Sequence, residues 1–182
     1  MYEIVISRLA IIGGGDNLAI TVLFLKLGFI PSEITNGQEF TTVRNVFFDL
    51  SIKTPFHNYL SAVTSLFLHG GLMHLLGNMM FLWVFGDNIE NHMGHFKYLV
   101  FYLMAGIVAT FSHWFFNPVS EIPLIGASGA VSGVLGAYLL TFPYNRVKVL
   151  VVFFLITVIQ LRAMWLLGLW FVWQIIQGSF QL

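Results

Sequence analysis

The chain has 182 residues, of which 58% are hydrophobic and 9% are charged, with eight basic and eight acidic side chains and a mean hydropathy of +0.84. Soluble domains usually carry about 25% charged residues, so this composition excludes an ordinary soluble domain and indicates an integral membrane protein. The zero net charge and the lack of a basic run argue against a nucleic-acid partner, and the absence of cysteine excludes disulfides and thiolate metal sites.

The amino-terminal part of the chain predicts a lead-in, a short apolar segment and a loop. We interpret residues 1–28 as a lead-in or an incomplete first helix, and residues 29–182 as the membrane domain. The apolar run at residues 18–30 would cover only about two-thirds of a ~30 Å hydrocarbon core at ~1.5 Å per residue. Residues 31–55 are polar and turn-rich, and we predict that they form a loop.

The rest of the chain predicts an all-α, polytopic transmembrane helical bundle. Its apolar runs show no alternating period, which favours helices over strands. The predicted spans are residues 60–85, 98–116 and 124–142, separated by a polar connector at 87–97 and a short turn at 117–123. Residues 149–176 are too long and too mixed for one helix. We predict a hydrophobic loop or half-inserted segment there, followed by a short helix at 163–177.

The basic residues near the predicted spans indicate an orientation. Lys97, Arg146 and Lys148 flank the connectors at one end of the bundle, and the positive-inside rule assigns that end to the cytoplasm. Ser128 and His74 then lie toward the outer side.

Residues 126–129 (GASG) open one of the predicted spans with a serine between glycines. A serine hydroxyl is a poor nucleophile until a base removes its proton and donors stabilise the oxyanion. At a helix start, Ser128 would have exposed backbone N–H groups beside it and room for a substrate carbonyl. Small residues such as Gly126, Gly129 and Gly133 also serve helix packing, and taken alone the segment favours packing over catalysis.

A second polar cluster lies within the preceding span. His74 and Asn78 are four residues apart, so they share one helix face and can both present an N–H to a developing negative charge. Gly70 and Gly71 suggest that His69 lies in the loop before this helix. Polar contacts between helices remain an alternative reading. A metal pair is disfavoured, because the five-residue spacing does not suit helical ligands and no carboxylate is nearby.

Together the two clusters resemble the rhomboid family of intramembrane serine proteases. Residues 69–78 (HGGLMHLLGN) resemble the family's His-x4-His-x3-Asn signature, and GASG resembles its Gly-x-Ser-Gly signature. Residues 86–90 (GDNIE) are similar to the end of the family's second helix, and the resemblance runs from about residue 29 to residue 178. It implies that Ser128 is the nucleophile and that His74 and Asn78, with the Ser128 N–H, form the oxyanion hole. His69, Gly126 and Gly129 would support them.

The chain departs from the family pattern at the general base. The resemblance implies a Ser-His dyad whose histidine lies on a sixth helix, whereas all six histidines here precede Ser128. We therefore expect a rhomboid-like bundle with about five of the usual six helices, truncated at the carboxyl terminus and inactive as it stands. The alternatives are a non-catalytic rhomboid-like protein that binds membrane clients, and a haem or metal membrane protein using His74, His92, His95 or His113.

The resemblance also implies partners and a location. We expect transmembrane protein substrates and the lipid bilayer as partners, no nucleic acid, and no cofactor or metal. We expect a multi-pass protein in the plasma (inner) membrane of a prokaryote. The oligomeric state is left open.

Overall fold

The computed structural model describes residues 3–5, 18–38, 42–45, 48–51, 57–152 and 156–179. The helices are α1 (Leu18–Leu27), α2 (Pro31–Asn36), α3 (Ser61–Thr64), α4 (Leu72–Phe81), α5 (Asp87–Met93), α6 (His95–Phe116), α7 (Ser128–Thr141) and α8 (Ala163–Ser179). Short 3₁₀ turns, Asn58–Leu60 and Ser65–Phe67, flank α3, and a π-helical turn, Leu82–Gly86, joins α4 to α5. The strands are β1 (Glu3–Val5), β2 (Thr42–Asn45), β3 (Phe48–Ser51), β4 (Arg146–Val152) and β5 (Ile156–Arg162).

The predicted loop at residues 31–55 is wrong in part, because it contains regular structure. Pro31 opens α2 and Gly37 closes it with a φ of 64°, which is the usual placement of proline and glycine around a helix. β2 and β3 then pair as an antiparallel hairpin, and β1 pairs with β2 in parallel. Residues 6–17 of the predicted lead-in lie outside the described residues.

The predicted span at residues 60–85 is bent. Its two helical parts, Asn58–Phe67 and Leu72–Met93, meet at an angle of 83°. The second part runs without a break through the π-helical turn and α5, so the predicted connector at 87–97 is helical as far as Met93. Gly94, with a φ of 86°, ends α5 and donates its N–H to the Glu90 carbonyl. The helix therefore ends at Met93, about two turns after the predicted span end at residue 85.

Small residues hold α6 and α7 together. A Cβ atom at Gly133 would lie 2.5 Å from the Ala105 Cβ, and one at Gly129 would lie 2.5 Å from the Ala109 Cβ. Close approach of two backbones through such residues is the usual means of helix association in membranes. α7 also contacts α4, the π-helical turn, α5 and α8. It is the central helix of the described bundle.

The core lies along the side of α7 that faces α5 and α8. Its buried residues on α7 include Val131, Val134, Leu135 and Tyr138. The neighbouring elements contribute Phe85, Ile89, Ala163 and Leu167. The Phe85 ring meets the Tyr138 ring edge-on at 4.9 Å between centroids. This packing fixes the helix that carries Ser128 at its start.

The predicted hydrophobic loop before the last helix is instead a hairpin. β4 and β5 pair antiparallel from Arg146 opposite Arg162 to Val152 opposite Ile156, which suits the β-branched residues of this segment. The predicted helix at 163–177 is confirmed as α8. The N–H groups of Ala163 and Met164 donate to the carbonyls of Asn145 and Pro143.

The helical bundle expected from the sequence is confirmed. α1, the bent pair, α6, α7 and α8 make five helical segments, and the two small sheets add to them. Within the described residues, α6 is long and apolar enough to cross a membrane, and the bent pair qualifies when it is counted as one span. The apolar helices Ser128–Thr141 and Ala163–Ile176 are shorter than that criterion.

Candidate functional site

Backbone hydrogen bonds hold the segment that leads into Ser128. Phe29 and Leu124 exchange two of them, at 3.1 and 2.8 Å, in an isolated antiparallel bridge. The Gly126 N–H donates to the Ser65 carbonyl at 2.9 Å. The entry to α7 is therefore tied both to the end of α1 and to the 3₁₀ turn before His69.

The His74 ring lies directly against the backbone of Gly126. Gly126 has a φ of 116°, and a Cβ placed on it would lie 2.7 Å from His74 Cε1 and 2.9 Å from Nε2. Only glycine suits both the backbone conformation and the contact. The His74 imidazole therefore contacts the backbone at Gly126, which is two residues before Ser128 in the sequence.

Ser128 is the first residue of α7 and is exposed. The first N–H groups of a helix have no partner within it, and no side chain caps this end. Ser132 donates its hydroxyl to the Ser128 carbonyl at 2.7 Å, one turn into the helix. Ser128 thus lies at a helix start, where N–H groups without a partner inside the helix can bind a ligand oxygen.

Asn78 is buried, with 7% of its surface exposed. Its Nδ2 has no hydrogen-bond partner among the described residues. Most buried polar groups are hydrogen-bonded, so an exception asks for an explanation. Asn78 lies one helical turn after His74 on α4, so its unpaired Nδ2 belongs to the same helix face as the His74 ring.

His69 lies in the segment between the Ser65–Phe67 turn and α4, as predicted from Gly70 and Gly71. Its ring meets the His74 ring edge-on, with centroids 5.3 Å apart, and its Nε2 is buried with no hydrogen-bond partner among the described residues. This arrangement suits a histidine that supports the His74 ring.

The structure brings His69, His74 and Gly126 into contact, and Ser128 follows two residues later. Gly129 instead faces Ala109 of α6, so its visible role is packing. Joint action of Ser128, His74 and Asn78 stays a prediction.

The remaining histidines lie elsewhere. The His92 ring contacts Phe142 at the far end of α7, 5.9 Å between centroids, and His95 is 2.7 Å from a Glu90 carboxylate oxygen. Within the described residues, no three potential metal-ligating side chains form a group. The 14 residues of α7 span about 21 Å at ~1.5 Å per residue. His74 lies near the start of α7 and His92 near its end, so the two rings cannot bind the same metal ion.

Several residues with contacts near this site are not marked by any pattern in the sequence. Trp114 donates to the Thr35 hydroxyl at 2.9 Å, and Thr35 donates to the Pro118 carbonyl at 2.6 Å. The Ser65 backbone carbonyl accepts the hydrogen bond from the Gly126 N–H. Backbone acceptors and contacts between residues far apart in the chain leave no local pattern.

Comparisons with known proteins identify the family of this chain. The rhomboid domain family model matches residues 57–182, and the chain belongs to the rhomboid family. It is 39% identical over 84 residues to rhomboid protease GluP of Bacillus subtilis (strain 168), covering 46% of this chain and 16% of that protein.

Two mitochondrial relatives are similar over the same extent of chain. The presenilin-associated rhomboid-like protein of Bos taurus is 34% identical over 88 residues, which is 47% of this chain and 23% of that protein. Presenilin-associated rhomboid-like protein A of Danio rerio is 32% identical over 92 residues, which is 50% of this chain and 24% of that protein. The chain thus spans less than a quarter of the length of these three relatives. No solved structure matches it.

Membership of the family establishes two general points. Rhomboid proteins are integral membrane proteins, and protease relatives place this chain in a hydrolase family. Its relatives include both bacterial and mitochondrial proteins.

Proposed function

We propose that this chain is the catalytic part of an intramembrane serine endopeptidase that cleaves transmembrane segments of membrane proteins. The observation that carries the proposal is the contact between His74 and Gly126, because it joins the two sequence signatures at the start of α7. Ser128 is the nucleophile. His74, Asn78 and the Ser128 N–H are the donors of the oxyanion hole.

The proposed chemistry is acyl transfer. The Ser128 oxygen attacks a substrate carbonyl while its proton passes to a base, and the carbonyl oxygen becomes an oxyanion held by the three N–H donors. The base then returns the proton to the leaving amine, and water hydrolyses the acyl-enzyme. The unpaired Nδ2 of Asn78 supports this role, since it has a hydrogen bond to give without breaking another.

The length of α7 supports attack below the membrane surface. At ~1.5 Å per residue its 14 residues span about 21 Å, against ~30 Å for the hydrocarbon core. A helix that starts at the opposite surface would thus place Ser128 several ångströms inside the bilayer. Water must reach that depth through a polar cavity, because hydrolysis consumes it.

The proposal assigns none of the histidines placed above as the base. His92 and His95 belong to the far end of α7, and His74 is assigned to the oxyanion hole. For the location, we propose the plasma membrane of a prokaryote, and a mitochondrial membrane is the alternative because both kinds of relative match this chain.

A second candidate is a non-catalytic rhomboid-like protein that binds membrane clients, because no hydrogen bond joins the Ser128 side chain to a histidine among the described residues. A cleavage assay with added imidazole distinguishes the two. Imidazole would accept the Ser128 proton in place of the histidine, and the substrate is a transmembrane peptide with helix-breaking residues near its outer end, because an intact helix hides its carbonyls.

The protease proposal expects cleavage of the peptide that rises with imidazole concentration and disappears in Ser128→Ala. Ser112→Ala is the matched control, since that exposed hydroxyl on α6 bonds only to its own helix. Binding of the peptide without cleavage at any imidazole concentration, by a folded protein, would favour the client-binding alternative.

A further inference from the structure

The base of the β4–β5 hairpin carries three cations side by side. Arg146 pairs directly with Arg162 in the strand register, and Lys148 pairs with Gln160. Residues two apart on a strand share a face, so all four side chains project from the same face. Residues directly opposite on such a ladder have Cα atoms about 4.5–5.5 Å apart.

Burial shows that this face points away from the bundle. Arg146, Lys148, Gln160 and Arg162 are exposed. On the opposite face, Val147, Val149 and Leu161 are partly buried and Ile159 is 39% exposed. Val147, on the opposite face, packs against the core around α7. The hairpin is therefore fixed to the bundle by its apolar face and displays its basic face outward.

The three cations lack an acidic partner. Among the residues that the structure describes, none of them forms a salt bridge, and the Arg162 guanidinium contacts only the face of the Tyr144 ring, 6.0 Å from its centroid. Like charges directly opposite on two strands destabilise the pairing. An anion between Arg146 and Arg162 would reverse that effect.

The hairpin lies at the same end of the bundle as the end of α5. The contact between His92 and Phe142 brings that end of α5 to the end of α7, and β4 begins four residues after Phe142. Val158 continues the basic face toward the hairpin tip and is 59% exposed. The face thus changes from cationic to apolar along its length, as a lipid does from headgroup to chain.

We propose that Arg146, Lys148 and Arg162 form a binding site for the phosphate of an anionic phospholipid headgroup. Charge complementarity selects an anionic lipid over a zwitterionic one. Arginine forms bidentate hydrogen bonds with phosphate oxygens, and two opposed guanidinium groups with a neighbouring ammonium can surround one phosphate. The exposed Val158 beside them receives the start of the acyl chain. The occupied site stabilises the hairpin and, through Ala163 and Met164, the start of α8.

Thermal unfolding in mixed micelles tests the proposal. The protein in a nonionic detergent is titrated with phosphatidylglycerol, phosphatidylcholine or inorganic phosphate. We expect phosphatidylglycerol to raise the Tm with saturation and the other two to leave it unchanged. Each basic residue near a lipid surface is worth roughly a fivefold change in affinity, so Arg146→Gln/Arg162→Gln should need about 25-fold more phosphatidylglycerol for the same effect.

Two control variants separate site binding from general charge. Arg146→Lys/Arg162→Lys keeps both charges but loses the bidentate hydrogen bonds, so it should need more phosphatidylglycerol than the native protein and less than the glutamine variant. Lys26→Gln/Lys97→Gln removes two cations elsewhere and should respond like the native protein. Without lipid, Arg146→Gln/Arg162→Gln should melt at the same or a higher temperature, because the like-charge opposition is gone.

The opposite results would overturn the proposal. An unchanged phosphatidylglycerol response in Arg146→Gln/Arg162→Gln would exclude this site. An equal response to phosphatidylcholine would exclude charge selection, and an equal response to inorganic phosphate would mean that the site takes a free ion. If the glutamine variant does not fold by circular dichroism, the native comparison of the two lipids decides.

Discussion

Gly126 is the residue on which the geometry of the candidate site depends most. Its φ of 116° and the 2.7 Å approach of a Cβ to the His74 ring are two separate reasons why no other residue fits. We predict that Gly126→Ala destabilises the protein by about 1–3 kcal/mol, the range for a residue forced into a sparsely populated backbone conformation. Thermal unfolding in detergent measures this.

Gly77→Ala is the matched control, because a Cβ there meets nothing within 4 Å. Gly77 lies inside α4, where alanine is preferred to glycine by about 1 kcal/mol. Gly77→Ala should therefore keep or raise the Tm. Equal losses in the two variants would show that the contact between Gly126 and His74 does not form.

Asn78 offers a test at a buried side chain. An unpaired buried amide costs stability, and an apolar residue of similar shape removes that cost. We predict that Asn78→Leu leaves the free energy of unfolding unchanged or raises it by up to about 1–3 kcal/mol. Asn58→Leu, at another buried asparagine, should destabilise, because Asn58 donates to the Glu33 carboxylate at 3.2 Å.

Thermal unfolding compares the two asparagine variants. Strong destabilisation by Asn78→Leu would mean that the Asn78 amide already has a structural partner, and its assignment as a free oxyanion donor would be wrong.

The sequence singles out the residues of the candidate site, whose roles stay predictions, but it does not mark the contacts that position them. Ser128, His74 and Asn78 stand out because polar groups are rare in apolar sequence. The acceptor for Gly126 is a carbonyl 61 residues earlier, at Ser65. Every residue carries such a carbonyl, so the sequence does not mark this one.

At the scale of elements, the pairing of α6 and α7 depends on glycines that have no room for a side chain. Gly133 faces Ala105 closely, whereas a Cβ at Gly136 would meet only Phe171, at 3.9 Å. We predict that Gly133→Ala lowers the Tm and that Gly136→Ala leaves it unchanged or raises it, since alanine favours helix by up to about 1 kcal/mol. Gly133→Leu should destabilise more than Leu139→Ala.

The measurement is thermal unfolding of the four variants in one detergent. If Gly133→Ala and Gly136→Ala have the same Tm, the close packing of α6 on α7 does not contribute to the stability of the bundle.

The helices could be predicted better than their ends and bends. Apolar length identified α6 and α8, whereas the predicted span at 60–85 did not include the 83° bend before α4, although Gly70 and Gly71 indicated a loop there. α2 and the end of α5 were missed although Pro31, Gly37 and Gly94 mark them. Proline at a helix start and glycine after a helix end are usable signals. The hairpin was missed because a short apolar run fits either a strand or a buried loop.

At the scale of the whole molecule, α7 connects the site to the rest of the bundle. It carries Ser128 at one end, packs on α6 through Gly129 and Gly133, and reaches Phe142 and the hairpin at the other end. In the proposed function this short, central helix holds the nucleophile rigidly, which is what acyl transfer requires of its geometry. The central claim is therefore that Ser128 is a nucleophile in a preformed oxyanion site that needs only a base.

Covalent labelling with a serine-directed phosphonate, mapped by mass spectrometry, tests that claim most directly. We predict that the 182-residue protein labels slowly alone and faster as imidazole is added, with the label on Ser128. Ser128→Ala should not label, and His74→Ala and Asn78→Ala should each label roughly 10²–10³-fold more slowly. Rapid labelling without imidazole would place the base among the six histidines. Labelling of another serine, or none in the folded protein with imidazole, would contradict the claim.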